Sequence, residues 1–98
     1  MAKTTAKYET IYILNPNLSE EDTATLVQRF SALAETHGTL GEVEEWGKRR
    51  LAYEINKLTE GYYVLMNFES APDFPAELER ILSINENVIR WLTICKDK

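Results

Sequence analysis

Ninety-eight residues suffice for one domain with a single two-layer core, and a composition of 44% hydrophobic and 28% charged residues is that of an ordinary folded protein. No apolar run approaches the ~20 residues that a membrane span needs, the basic N-terminus has no apolar signal core, and a single cysteine excludes an internal disulfide and suits a reducing cytoplasm. A net charge of −5 argues against a nucleic-acid binder only if that charge is spread evenly.

Residues 1–7, with Lys3 and Lys7, read as a flexible arm. Residues 8–14 are β-branched and aromatic and predict a first strand. Alternation leaves its inner face open between Ile11 with Ile13 and Thr10 with Tyr12 and Leu14. Asn15, Pro16 and Asn17 end it. Ser19 is placed as an N-cap, with Glu20, Glu21 and Asp22 complementing the first-turn N–H groups. Leu26, Val27, Phe30, Leu33 and Ala34 follow at helical spacing. His37 and Gly38 close the helix, Gly38 as the residue just past its end.

A second strand starts near Thr39 and runs through Val43 and Trp46 into Lys48, Arg49 and Arg50. Gly41 and Gly47 within it predict bulges or close backbone approaches. Residues 57–60 supply a turn. Residues 61–69 form a third strand with Val64, Met66 and Phe68 on one face. Asp73 is placed as the cap of a second helix with Pro75 in its first turn, followed by Leu78, Ile81 and Leu82. Residues 87–95 form the last strand, and 96–98 a short tail. The order β-α-β-β-α-β, with right-handed crossovers, gives a ferredoxin-like α+β domain spanning residues 1–98: a four-stranded antiparallel sheet with two helices on one face. Its other face is left uncovered by this chain and is a docking surface by default.

Charge is distributed in keeping with that picture. The predicted helical segments 19–37 and 73–86 hold eight acids and two bases, a balance of −6; the remainder holds eight acids and nine bases, a balance of +1. Chemistry is sparse. Cys95 reads as a small buried hydrophobe, His37 stands alone, one His and one Cys make no zinc site, and Glu44 and Glu45 are strand neighbours that point to opposite faces. No phosphate-cradling glycine motif is present. The chain therefore reads as a non-enzyme without metal or cofactor. The RNA-binding module that shares this fold stacks bases on its third strand; Tyr63 is available for that, but the basic residue its motif places ahead is missing.

The stretch Trp46-Gly47-Lys48-Arg49-Arg50-Leu51-Ala52-Tyr53, followed by Ile55, Lys57 and Gly61-Tyr62-Tyr63, resembles the central signature of the family of the sixth protein of the bacterial small ribosomal subunit. Tyr8-Glu9, Leu14-Asn15-Pro16-Asn17-Leu18 and Glu86-Asn87-Val88-Ile89-Arg90 are similar to its first strand, first turn and last strand, in the right order over nearly the whole chain. The resemblance implies a structural component of the ribosome in the cytoplasm. Such a component binds the central domain of small-subunit ribosomal RNA together with the eighteenth small-subunit protein, after the fifteenth has prepared the RNA. It implies RNA contacts at Lys3, Lys7, Tyr8, Lys48, Arg49, Arg50, Lys57, Arg90 and Lys96. Trp46, Leu51, Tyr53 and Ile55 face either the partner protein or the core, and Arg50 has Glu44 or Glu45 as an alternative partner. Glu54 stands where many members have proline, and contacts made by the longer C-terminal tail of many members are not expected here.

The resulting expectation is a free monomer that uses no membrane and no small-molecule substrate. Its cations gather on the side away from the helices and neutralise phosphates, while apolar surface meets the partner. The competing reading is a ferredoxin-like regulatory domain that oligomerises through the bare sheet face. An acylphosphatase-like enzyme would need an arginine in the turn after the first strand, and residues 15–19 contain none.

Overall fold

The computed structural model describes residues 5–55 and 57–96. The elements are β1 (Ala6–Leu14), α1 (Glu20–His37), β2 (Gly38–Ile55), β3 (Leu58–Ser70), α2 (Phe74–Ile84) and β4 (Val88–Cys95). The strands form one sheet in the order β2-β3-β1-β4, with every neighbouring pair antiparallel. β1 and β2 therefore run parallel with β3 between them, and β3 and β4 do the same around β1. This is the doubly split β-α-β of a ferredoxin-like domain, and the expected fold stands.

The core identifies the covered face. Tyr12, Leu14, Val64 and Met66 from the sheet, Phe30 and Ala34 from α1, and Leu78 and Leu82 from α2 are all fully buried in one cluster. Each large apolar side chain so buried contributes roughly 1.5–3 kcal/mol. Period-two alternation then assigns β1: Tyr8, Thr10, Tyr12 and Leu14 face the helices, while Lys7, Glu9, Ile11 and Ile13 face the open side. The Tyr8 ring stacks on Phe68 at 5.7 Å, and Tyr8 also lines a small groove with Lys7 and Lys96. Thr10 is satisfied within the covered layer by the Thr93 hydroxyl at 2.9 Å. β1 also takes in Ala6 and Lys7, which the sequence assigned to the arm.

At the start of α1, the Ser19 hydroxyl accepts from the Asp22 N–H at 3.0 Å, as expected of an N-cap. The Asp73 side chain makes no such bond at α2, which starts with Pro75 in its first turn. Gly38 is not the left-handed helix terminator that the sequence suggests. Its backbone is extended, β2 begins on it, and a Cβ there would overlap the Glu69 carbonyl oxygen. His37 stacks on Phe74 at 4.8 Å. Cys95, expected to be buried, is exposed, because β4 is an edge strand and Cys95 is its last residue.

β2 has 18 residues and β3 has 13, whereas β1 has nine and ends where Leu14 faces Tyr62. Beyond that point the β2–β3 hairpin continues as an arm past the end of β1, and the molecule measures 49 × 26 × 22 Å. Its radius of gyration, 13.7 Å, exceeds the roughly 12.6 Å of a compact chain of this length. The turn is tighter than predicted. Ile55 pairs with Leu58, and Lys57 adopts a φ of +66°.

Candidate functional site

The open sheet face is built by the odd-numbered residues of β1 and β3, the even-numbered residues of β4 from Arg90 onward, and alternate residues of β2. Ile11 faces Leu92, Glu9 faces Ile94 and Ile13 faces Arg90 across β1 and β4. Leu92 is 61% exposed and Ile94 46% exposed. On the other side of β1 stand Leu65, Asn67 and Tyr63. An apolar strip thus lies uncovered on β4 and β1, with Arg90 at one end and Lys96 at the other. Lys96 Nζ donates to Asn67 Oδ1 at 3.1 Å. Lys7 shares this face with Glu69 opposite it, and Glu9 and Glu44 add negative charge.

The basic run on β2 does not form a single patch. Strand alternation at three consecutive positions sends Arg49 to the open face, and Lys48 and Arg50 to the helix side. Lys48 lines a groove of about 540 Å³ with Glu20, Thr23, Glu45 and Tyr62. Arg50 is opposite Glu60. The expectation of one cationic flank away from the helices is therefore corrected: Lys7, Arg49, Arg90 and Lys96 share the open face, while Lys48 and Arg50 turn away from it. Lys57 is exposed at the arm's turn. Lys3 and the side chain of Ile55 lie outside the described residues. Glu44 and Glu45, the alternative partners for Arg50, are engaged elsewhere. Glu44 accepts from Trp46 Nε1 at 3.2 Å, and Glu45 accepts from the Tyr62 hydroxyl at 2.7 Å. That second bond raises the Tyr62 hydroxyl pKa to about 12, with burial adding to it.

Two β2 features fix what the open face presents. The bulge between Glu45 and Gly47 places both Trp46 and Gly47 opposite Tyr63, and Gly47 takes a φ of +81°. This extra residue brings Trp46 and Arg49, three apart in sequence, onto one face. Trp46 stacks on Tyr63, with ring centroids 6.3 Å apart and planes within 14°, and the Arg49 guanidinium lies 5.2 Å from the Trp46 ring. Further along, Leu51 is buried against Ile13 and Gly61, where a Cβ would overlap Ile13. The arm then bends over the end of the sheet. Arg90 Nη1 donates to the Tyr53 hydroxyl while its guanidinium lies 5.0 Å from the Tyr53 ring. Tyr53 itself remains 56% exposed.

Sequence reasoning did not single out Leu92 and Ile94. The available signal was an edge strand apolar on both faces, with Trp91 inward and Leu92 and Ile94 outward. Among the described residues, no group of three or more His, Cys, Asp or Glu is placed to hold a metal ion.

The family described as Ribosomal protein S6 matches residues 7–95 of the chain. The small ribosomal subunit protein bS6 of Alkaliphilus oremlandii is 51% identical over 92 residues, covering 94% of this chain and 98% of that protein. Its counterpart in Caldanaerobacter subterraneus subsp. tengcongensis is 52% identical over 91 residues, covering 92% and 96%. The crystal structure of 30S ribosomal protein S6 from Thermotoga maritima superimposes with a TM-score of 0.88 at 34% identity, covering 94% of this chain and 88% of that one.

Proposed function

This chain belongs to the ribosomal protein S6 family, and from that premise we propose that it binds the central domain of small-subunit ribosomal RNA jointly with the eighteenth small-subunit protein. Membership makes it a structural, non-enzymatic component of the small ribosomal subunit, located on the ribosome in the cytoplasm. The observation that carries the finer reading is the uncovered sheet face, where the apolar strip of Ile11, Leu92 and Ile94 lies between Arg90 and Lys96. An apolar strip of this kind fits a protein partner. The flanking cations fit phosphates, each contact releasing counterions.

The net charge of −5 opposes RNA binding by the chain alone. A basic partner seated on the open face would cancel that repulsion, so binding is cooperative and the free chain is a monomer. Filter binding to a central-domain RNA fragment tests this. Affinity rises at least tenfold when the eighteenth protein is present; tight binding without it, unchanged by its addition, contradicts the proposal. A salt-insensitive dimer on size exclusion would favour the oligomerising alternative.

A further inference from the structure

At the β2 edge of the open face Trp46 stacks on Tyr63, and the exposed Arg49 guanidinium lies over the Trp46 ring. We infer that this stack is a stand for one unpaired RNA base, with the base lying on the Arg49 guanidinium. The inference rests on the RNA-binding reading and adds to it a ligand group and a residue.

Tyr63, the residue on which base stacking would have been expected from the sequence, is covered by Trp46 and cannot itself take a base on that side. The parallel Tyr63 and Trp46 rings instead support a guanidinium held in place before any ligand arrives, which lowers the entropy lost on binding. Guanidinium planes and aromatic rings are the surfaces on which unstacked RNA bases settle. The Gly47 bulge is what permits the arrangement, because unbroken alternation would place Trp46 and Arg49 on opposite faces.

Charge distinguishes a base from a phosphate as the occupant. The Glu44 carboxylate is fixed 3.2 Å from Trp46 Nε1, at the edge of the stack. That negative charge works against a phosphate here, whereas a neutral ring meets no such opposition. Arg90 makes the contrast on the same face: its guanidinium is engaged by Tyr53 at the arm, and among the described residues no aromatic pair extends beneath it.

The test uses Arg49→Lys in the full chain, with the eighteenth protein and a central-domain RNA fragment. Lysine keeps the charge and loses the flat face. The expected result is about a tenfold loss of RNA affinity, within the range for one stacked base, with the slope of log affinity against log salt unchanged. Arg49 is exposed, and far-UV circular dichroism of the variant is expected to match that of the wild type. Wild-type affinity for Arg49→Lys overturns the inference and leaves the RNA reading intact. Arg49→Gln removes the charge as well, and a salt slope shallower by about 0.7–0.9 in that variant also overturns the inference, because a phosphate contact is then what was removed. Failure of the wild type to bind RNA in the presence of the partner overturns the proposed function as well.

Discussion

At the scale of single residues, two tyrosines on the covered face behave in opposite ways. The Tyr12 hydroxyl is fully buried and has no hydrogen-bond partner among the described residues, and burial raises its pKa, with the Glu45 charge adding to the effect. An unpartnered buried hydroxyl costs free energy, so Tyr12→Phe is expected to leave stability unchanged or raise it by up to about 1 kcal/mol in urea denaturation. A loss above that size would mean that the hydroxyl is satisfied. Tyr62 is bonded to Glu45, and its pKa lies near 12 against an ordinary 10.0. A folded value above the unfolded one means that folding favours the protonated phenol. The stabilisation is therefore complete below about pH 10 and lost as the pH rises toward 12. Tyr62→Phe should flatten part of the decline in stability across that interval, read by denaturation at successive pH values.

At the scale of elements, the long β2–β3 hairpin holds most of what the sequence did not reveal. Its bulges were legible from Gly41 and Gly47, and registers shift beside both. Gly47, at φ +81°, admits a side chain sterically but not conformationally, since nothing lies within 4 Å of a Cβ there. Gly47→Ala should thus cost roughly 1–2 kcal/mol through backbone strain alone, measured by thermal or chemical unfolding; a neutral result would mean that the bulge relaxes. The same bulge shows why the sites were only partly readable. Periodicity located the strands, the helices and the covered face of β3, because those depend on burial. Alternation alone divides Lys48, Arg49 and Arg50 between the two faces, but which face each takes depends on a one-residue shift in register that no hydrophobic pattern records. Cys95 was misplaced for a related reason, and the facing of Tyr8 was left open. Whether a strand residue is buried follows from its position in the sheet and its face, and alternation in β1 alone did not choose that face.

At the scale of the whole molecule, the acidic chain separates its charges only partly. The helix side carries the acidic first turn of α1, yet it also holds Lys48 and Arg50. The open face offers four cations against Glu9, Glu44 and Glu69. If Lys7, Arg90, Lys96 and Lys57 act on phosphates, the salt slope of the complex with its partner should be about −3 to −4, near −0.9 for each contact. A slope near zero would remove phosphate neutralisation from the account. The central claim is that the uncovered sheet face, and not the helix layer, is the docking surface. The most direct measurement compares Leu92→Glu on that face with Ile84→Glu on α2, where an apolar side chain 69% exposed serves as a matched control. In calorimetric titration with the eighteenth small-subunit protein, Leu92→Glu should weaken binding at least tenfold while Ile84→Glu leaves it unchanged. Equal losses in both variants, or a loss confined to Ile84→Glu, would contradict the claim.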